Sequence, residues 1–161
     1  MAVIQLHLLR HAHAGDPAEW SAPDAARPLS GKGRHQAERL GAFLVSVGFR
    51  PDAIVTSPKL RAAQTADIVA AALGRTVQKD ERLAIGFGQP ELAALLEELD
   101  ASRPVLVGHD PDFSDLVAML LGTSGVPMRK GAIARIDVRP PYGPGSGTLR
   151  WLIPPELLDP S

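Results

Sequence analysis

The apolar run at residues 3–9, VIQLHLL, constrains the fold of this chain more than any other feature. A run of this length is typical of a buried β-strand. Arg10 and His11 follow it directly. The run therefore predicts that a guanidinium and an imidazole lie at the carboxyl edge of a sheet, which is where open α/β folds bind their ligands.

This Arg-His pair favours phosphoryl chemistry. Arginine presents a fixed fork of donors that fits phosphate oxygens, and a neutral imidazole can act as a nucleophile. A phosphoryl group in a partly dry pocket carries charge on several oxygens, so its binding needs more than one cation or hydrogen-bond donor. We therefore expect further cationic or imidazole groups to converge on Arg10 and His11.

The segment that follows residues 53–56 supplies one such group. Ala-Ile-Val-Thr predicts a short strand, and Ser57 and Pro58 fit the N-cap and the first position of a following helix. Arg61 then lies one turn into that helix, on the same face as Ser57 and close to the positive end of the helix dipole.

The segment that follows residues 105–107 supplies the other. Val-Leu-Val predicts a strand, Gly108 and His109 come directly after it, and Pro111 precedes an apolar pattern of helical spacing. His109 is therefore expected at the same edge of the sheet as His11.

Alternating strand and helix signals continue along the chain and favour a mostly parallel sheet with helices on both faces. The C-terminal part differs, because residues 131–138 and 147–153 alternate like half-exposed strands around a Pro- and Gly-rich turn, which predicts an antiparallel hairpin at the sheet edge. The other predicted elements are a helix capped by Ser30 that runs to about Val47, a helix from Pro58 to about Leu73, a short strand at residues 76–77, a helix over residues 91–99 that Pro90 opens, and a helix after His109.

Three stretches, residues 9–11 (LRH), 57–66 (SPKLRAAQTA) and 108–109 (GH), resemble in order and spacing the motifs of the histidine phosphatase superfamily. The chain is most similar to the short bacterial branch typified by the phosphohistidine phosphatase SixA, which residues 27–30 (RPLS) and the absence of a long insertion before His109 support. The resemblance implies a phosphoglycerate mutase-like fold, a three-layer α/β/α sandwich whose mostly parallel sheet has an antiparallel C-terminal edge.

The resemblance also implies the roles of the candidate site residues. His11 would attack phosphorus as a neutral imidazole and form a phosphohistidine intermediate that water hydrolyses. Arg10 and Arg61 would bind the equatorial oxygens, and His109 would donate to another oxygen. Substrate contact is also considered for Arg27, Ser57 and His13, whereas His7 is expected in the core and His35 on the surface.

The general acid is the least defined part of this prediction. Larger members of the superfamily place a carboxylic acid in a loop before a later helix, and the candidates here are Asp80, Glu81 and Asp110. A phosphohistidine substrate lessens the need for such an acid, because its imidazole leaving group can carry a proton before the N–P bond breaks. The favoured substrate is therefore phosphohistidine on a protein, and a small-molecule or other phosphoester monoesterase of the same superfamily is the alternative.

Two other classes of function are weighed against this one. The run His11, His13 and Asp16 is similar to the metal-binding run of binuclear hydrolases, but Arg10 would place a cation beside the metal and the run has one residue too many. A non-catalytic phosphate-binding module would use the same cations without turnover. Neither a metal nor another cofactor is expected.

The composition limits the remaining possibilities. With 161 residues, 45% of them hydrophobic, the chain suits one domain over residues 1–161. A net charge of −1 provides no field for nucleic acid or an anionic membrane, and the lack of cysteine excludes thiolate catalysis and thiolate metal sites. No leader peptide or apolar run of about 20 residues is recognised, so a cytoplasmic protein is expected. Its partner would be a phosphorylated protein or a small phosphorylated substrate, and its oligomeric state is left open.

Overall fold

The apolar run near the amino terminus forms a strand in the middle of a six-stranded sheet. The computed structural model describes residues 2–159. The strands are β1 (Ile4–Arg10), β2 (Ala53–Thr56), β3 (Gln78–Lys79), β4 (Pro104–Gly108), β5 (Ile133–Val138) and β6 (Gly147–Ile153).

The strand order is β3-β2-β4-β1-β5-β6. The first four strands in this order are mutually parallel, whereas β5 runs antiparallel to β1 and β6 antiparallel to β5. The antiparallel pair at one edge is the predicted C-terminal hairpin. The predicted fold class, a mostly parallel α/β sheet with an antiparallel C-terminal edge, is confirmed.

Four helices cover the two faces of the sheet, and each buries an apolar stripe. They are α1 (Gly31–Ser46), α2 (Leu60–Leu73), α3 (Gln89–Leu99) and α4 (Asp112–Leu121). Because side chains alternate along a strand, Leu6 and Leu8 of β1 pack in the core with α3 and α4, whereas Leu9 packs in the core with α1 and α2. Burying one leucine contributes roughly 2 kcal/mol, so both cores hold the layers together.

His7 lies within β1 and is buried, as its position in the apolar run predicts. Its Nδ1 is 3.1 Å from the carbonyl oxygen of Pro104, and its ring packs at 4.7 Å from that of Phe49 and 5.7 Å from that of Trp151. Because a carbonyl can only accept, Nδ1 donates this hydrogen bond. The prediction of a core histidine is confirmed.

Several element boundaries differ from the sequence-based prediction by up to two residues; helix α3, for example, begins at Gln89 rather than at Glu91. Helix α2 begins at Leu60, after a turn in which the Ser57 hydroxyl accepts from the Lys59 backbone N–H at 3.2 Å, so Ser57 is not the N-cap. Strand β3 lies two residues later than predicted, because its pairing with β2 starts at Gln78. Strand β5 starts at Ile133, since the backbone N–H of Gly131 donates to the carbonyls of Arg10 and His11 at the end of β1 and not to a partner in the ladder.

Within residues 2–159, no helix has both the length and the apolar composition that a membrane span requires.

Candidate active site

The carboxyl ends of β1, β2 and β4 meet at one edge of the sheet. Arg10 pairs with Gly108 across β1 and β4, and Thr56 pairs with Val107 across β2 and β4. The backbone pairing continues past the strand ends, because His11 N donates to the Gly108 carbonyl at 3.0 Å and Ser57 N donates to the Val107 carbonyl at 2.9 Å. The three motif segments therefore leave the sheet side by side.

A cleft of about 370 Å³ opens at this edge and is here called the His11 cleft. All four groups that the sequence singles out line it, namely Arg10, His11, Arg61 and His109. The side chains of the two histidines and of Arg61 are buried, with only 5–6% of each residue exposed. Arg27, Lys59 and Lys130 add further positive charge to the same wall.

The His11 imidazole is held in one tautomer by the backbone. Its Nδ1 lies 2.7 Å from the carbonyl oxygen of Ala12, so Nδ1 carries the proton and Nε2 keeps its lone pair. Burial, together with the nearby charges of Arg61 and Arg10, lowers the pKa of His11 to about 3. His11 is therefore neutral near pH 7, which is the form that can attack an electrophile.

His109 faces His11 across the cleft, with ring centroids 5.2 Å apart. Its Nε2 is 2.7 Å from the hydroxyl oxygen of Ser57, which places Ser57 in the site although the structure does not use it as a helix cap. Burial, followed by the neighbouring groups of His11 and Arg61, lowers the pKa of His109 to about 3. Its Nδ1 is buried and has no hydrogen-bond partner within residues 2–159.

Arg61 is anchored by a residue that the sequence analysis did not identify. It donates from Nη1 to the Asp24 carbonyl and from Nη2 to the Asp24 carboxylate, both at 3.0 Å. Arg27 donates to the same carboxylate at 3.3 Å and to the Ala14 carbonyl at 2.8 Å. Asp24 thus holds both arginines at the mouth of the cleft. It belongs to the loop over residues 14–28, in which no periodic pattern marks any position.

Arg10 is held from the other side of the cleft. Its Nη1 donates to the Met128 carbonyl at 2.8 Å and lies 3.6 Å from the carboxylate of Asp110. The Nε atoms of Arg10 and Arg61 are buried without a hydrogen-bond partner in the described part of the chain. Buried donors of this kind are costly unless a ligand accepts from them.

Lys130 is a second residue that the sequence analysis did not single out. It lies in the loop before β5 and lines the His11 cleft. Burial lowers its pKa, and the neighbouring charges of Arg10, Arg27 and Arg61 lower it further. Only the long-range folding of the chain brings this loop beside β1, so no local signal in the sequence identifies Lys130.

Side chains of α1 and α2 fix the loop that carries His11. Thr65 accepts from the Ala12 backbone N–H at 3.0 Å, and Gln36 accepts from the His13 backbone N–H at 2.9 Å. Gly33 permits the close approach of α1, because a Cβ at this position would overlap the His13 carbonyl oxygen. These side chains therefore fix His11 through the backbone of the two residues that follow it.

His13 points into a different cleft from His11. Its Nδ1 is 2.6 Å from the hydroxyl oxygen of Ser30, and its side chain lines a neighbouring cleft rather than the His11 cleft. Asp16 accepts from the backbone N–H of Ala18 and caps the short 3-10 helix at Pro17–Glu19. Within residues 2–159, no group of three or more histidine and acidic side chains converges as metal ligands.

The three candidate general acids are placed differently. Asp80 caps the short 3-10 helix at Glu81–Leu83 and pairs with Arg82 at 2.7 Å, a hydrogen bond that lowers the pKa of the Asp80 carboxyl. Neither Asp80 nor Glu81 lines the His11 cleft. Asp110 does line it, and its carboxylate accepts from the backbone N–H and the hydroxyl of Ser114 at 3.0 and 2.6 Å.

Comparisons with known proteins identify the family. The model of the histidine phosphatase superfamily (branch 1) matches residues 6–111. A curated relative from Picosynechococcus sp., itself uncharacterized, is 38% identical over 127 residues, which cover 76% of each chain.

Solved structures of the same fold include phosphatases with different substrates. The protein histidine phosphatase SixA complexed with tungstate superposes with a TM-score of 0.84 and 25% identity, over 97% of this chain and 100% of that chain. Phosphoserine phosphatase from Entamoeba histolytica, in complex with 3-phosphoglyceric acid, superposes with a TM-score of 0.71 and 17% identity, over 94% and 97%. The latter likeness concerns the fold alone. Because the family model matches more than half of the chain, this protein belongs to the histidine phosphatase superfamily and is a hydrolase with a histidine nucleophile.

Proposed function

We propose that this protein removes the phosphoryl group from phosphohistidine on a protein, with His11 as the nucleophile. The observation that carries the proposal is the tautomer of His11. The Nδ1–H of His11 donates to the Ala12 carbonyl, so Nε2 is left with a lone pair in a cleft lined by Arg10, Arg61 and His109. A neutral imidazole surrounded by donors for anionic oxygens suits in-line attack on phosphorus.

The reaction has two steps. In the first, His11 Nε2 bonds to phosphorus, the N–P bond of the substrate breaks, and the substrate imidazole leaves with the proton that it already carries. In the second, water attacks phosphorus, the bond to Nε2 breaks, and inorganic phosphate leaves as H2PO4⁻ with both protons of the water, while His11 returns to its neutral form. In both steps the same cluster of donors surrounds the phosphoryl group and stabilises the negative charge on its oxygens.

Three buried atoms support the role of this cluster. The Nε atoms of Arg10 and Arg61 and the Nδ1 atom of His109 lack a partner within residues 2–159. Ser57 accepts from the Lys59 backbone N–H, so its own hydroxyl is free to donate to His109 Nε2 and leave the proton on Nδ1. Phosphoryl oxygens would then accept from all three atoms.

The carboxylates of the cleft support phosphohistidine over a phosphoester. Among the described residues, Asp110 and Asp112 are the acidic side chains that line it. Asp110 accepts from Ser114 and lies near Arg10, and Asp112 accepts from the Phe87 backbone N–H at 3.2 Å. Carboxylates used as acceptors are poor proton donors. An alkoxide leaving group needs a donor, whereas a protonated imidazole does not.

The experiment is a comparison of two peptides of one sequence, phosphorylated either on histidine or on serine at the same position. We expect kcat/KM to be at least about 100-fold higher for phosphohistidine, since a well-placed general acid contributes about 10²–10⁴-fold where the leaving group needs one. His11→Ala serves as the control for spontaneous hydrolysis and for contaminating phosphatases. Equal or faster hydrolysis of phosphoserine would reject phosphohistidine as the substrate and favour a phosphoester monoesterase.

A further inference from the structure

A second cleft, of about 710 Å³, adjoins the His11 cleft and shares Arg10 and Lys130 with it. We call it the basic cleft. Three more cations line it, Lys32 and Arg39 from α1 and Arg129 from the loop before β5. Its lining in the described part of the chain contains two acidic residues, Glu156 and Asp159, so cations outnumber acids by five to two. This excess contrasts with the net charge of −1 for the whole chain.

The two cations that α1 contributes to the basic cleft are spread along the helix rather than gathered at a point. Lys32, Gln36 and Arg39 stand at helical spacings of four and three residues, so they share one face of α1. Lys32 and Arg39 are seven residues apart, which corresponds to about 10 Å along a helix axis. An extended peptide covers this distance with about three residues. One phosphate group does not reach from one end to the other.

Two acidic side chains of the protein itself form ion pairs with cations of the basic cleft. Glu156 pairs with Arg129 at 3.6 Å, and Asp159 pairs with Arg39 at 3.5 Å. Both acids belong to a short segment near the C-terminus that crosses the rim of the cleft. Lys32 and Lys130 have no ion-pair or side-chain hydrogen-bond partner among residues 2–159. Of these two unpaired cations, Lys130 also lines the His11 cleft.

We infer that the basic cleft binds an acidic segment of the protein substrate that flanks the phosphorylated residue. The shared residues Arg10 and Lys130 join the two clefts, so a phosphoryl group beside His11 and an acidic stretch against Lys32 can belong to one chain. This inference deepens the proposed function and rests on it. Spread, exposed cations suit several carboxylates along a backbone, which they attract by charge complementarity.

The test uses two synthetic peptides with a single phosphohistidine, flanked on one side by three Glu or by three Gln residues. Selectivity is the kcat/KM of the Glu peptide divided by that of the Gln peptide. For the wild-type protein at low salt we expect a selectivity of about tenfold, because a few exposed ion pairs together give this factor. The selectivity should fall toward one in 0.5 M NaCl, where the electrostatic screening length is roughly 4 Å.

Charge reversal on the basic cleft should remove this selectivity. We expect Lys32→Glu, alone and combined with Arg129→Glu, to bring the ratio to one or below. Lys32→Ala should lower the selectivity at least twofold. Because Lys32 is exposed and has no ion pair, this mild variant tests the inference even if the charge-reversal variants fold poorly. Arg34→Glu is the matched control, because Arg34 is exposed on the same helix but lines neither cleft. It should leave the ratio unchanged.

Direct binding of the unphosphorylated Glu peptide separates this inference from the proposed function. If the protein hydrolyses phosphoserine rather than phosphohistidine but still binds this peptide more weakly after Lys32→Glu, the substrate proposal fails and the acidic-segment site stands. A wild-type selectivity of one at low salt, or a selectivity that Lys32→Glu leaves intact, would overturn the inference. If Lys32→Glu lowered the affinity for inorganic phosphate and for the Glu peptide equally, the basic cleft would be a site for any anion and the inference would also be overturned.

Discussion

The three buried histidines differ in what their ring nitrogens bond, although burial lowers the pKa of each. His7 donates to a backbone carbonyl inside the core, with its pKa lowered to about 4. His11 donates in the same way, but its second nitrogen belongs to the His11 cleft. His109 bonds the Ser57 hydroxyl and leaves Nδ1 without a partner in residues 2–159. The surroundings of each histidine, rather than its residue type, therefore separate the packing histidine His7 from the two histidines that line the His11 cleft.

Ser57 offers a test of how His109 is oriented. Ser57→Ala removes the hydrogen bond to His109 Nε2 and leaves this nitrogen buried without that partner. We expect kcat to fall about three- to tenfold, which corresponds to the loss of one hydrogen bond. Steady-state kinetics checks this, and Ser57→Thr, which keeps the hydroxyl, should recover part of the rate. Unchanged kcat in Ser57→Ala would show that His109 does not depend on Ser57.

His7 makes the stability of the protein depend on pH. Its pKa is about 4 in the folded chain, whereas a histidine exposed to water has a pKa of 6.5, so the unfolded chain binds more protons below pH 6.5. Stability contributed by neutral His7 is therefore present above pH 6.5 and decreases as the pH falls toward 4. Between about pH 7.5 and about pH 5 we expect a loss of about 2 kcal/mol from this residue.

Urea unfolding at these two pH values measures the effect. His7→Gln cannot titrate, so its loss of stability over this range should be smaller than that of the wild-type protein by about 2 kcal/mol. His35→Gln, at an exposed position of α1, is the matched control and should behave like the wild type. If His7→Gln and the wild type lose equal stability, the buried imidazole of His7 is not the source.

At the scale of elements, the ends of the parallel strands could be predicted from the sequence. Short apolar runs followed by Arg-His, Ser-Pro or Gly-His are local signals, and the parallel sheet brings them to one edge. The start of α2 could not be predicted. Ser57 fits the sequence pattern of a helix cap, but in the structure its hydroxyl bonds His109 and the helix begins at Leu60. Tertiary contact decides between these two uses, and a local pattern does not contain that information.

The junction between β4 and α4 tests whether element packing positions His109. A Cβ at Gly108 would lie 2.7 Å from the ring of Phe113, which is fully buried in α4. Gly108→Ala must therefore shift either the ring or the end of β4. We expect a loss of about 2 kcal/mol in stability, as for other overpacked sites. Activity should fall with it, because His109 is the next residue.

Thermal unfolding and steady-state kinetics of Gly108→Ala report both effects. Gly143→Ala is the control, because no atom lies within 4 Å of a Cβ at that loop position. A Gly108→Ala variant with wild-type kcat/KM would show that the site tolerates movement of this junction.

At the scale of the whole molecule, one sheet carries both cores. Strand β2 directs Ile54 to one core and Val55 to the other, and β4 does the same with Val105 and Leu106. Neither face can lose its packing without disturbing the strands that the other face uses. We expect the chain to unfold as a single cooperative domain.

Coincident urea transitions would support this expectation. In the Trp20→Phe variant, Trp151 is the remaining tryptophan, so its fluorescence follows the unfolding of the core of α1 and α2 against which it packs. Far-UV circular dichroism follows the unfolding of all helices. Both probes should give one midpoint. Two separated transitions would show that the faces unfold independently.

The parts of the site that the sequence did not indicate are those created by long-range folding. Asp24 reaches Arg61 from a loop 37 positions away, and Lys130 joins the cleft from the segment before β5. The basic cleft likewise combines one face of α1 with this segment and the C-terminal turn. Side chains in such loops follow no periodicity, so only the assembled fold reveals what they contact.

In the proposed reaction, His11 carries the phosphoryl group between the two chemical steps. Rapid quenching of the protein with a phosphohistidine substrate, followed by mass spectrometry under alkaline conditions, tests it most directly. We predict one acid-labile phosphoryl group on His11, formed within the first turnover and absent in His11→Ala. Phosphate release at the wild-type rate with the phosphoryl group on another residue, or its persistence in His11→Ala, would contradict the account.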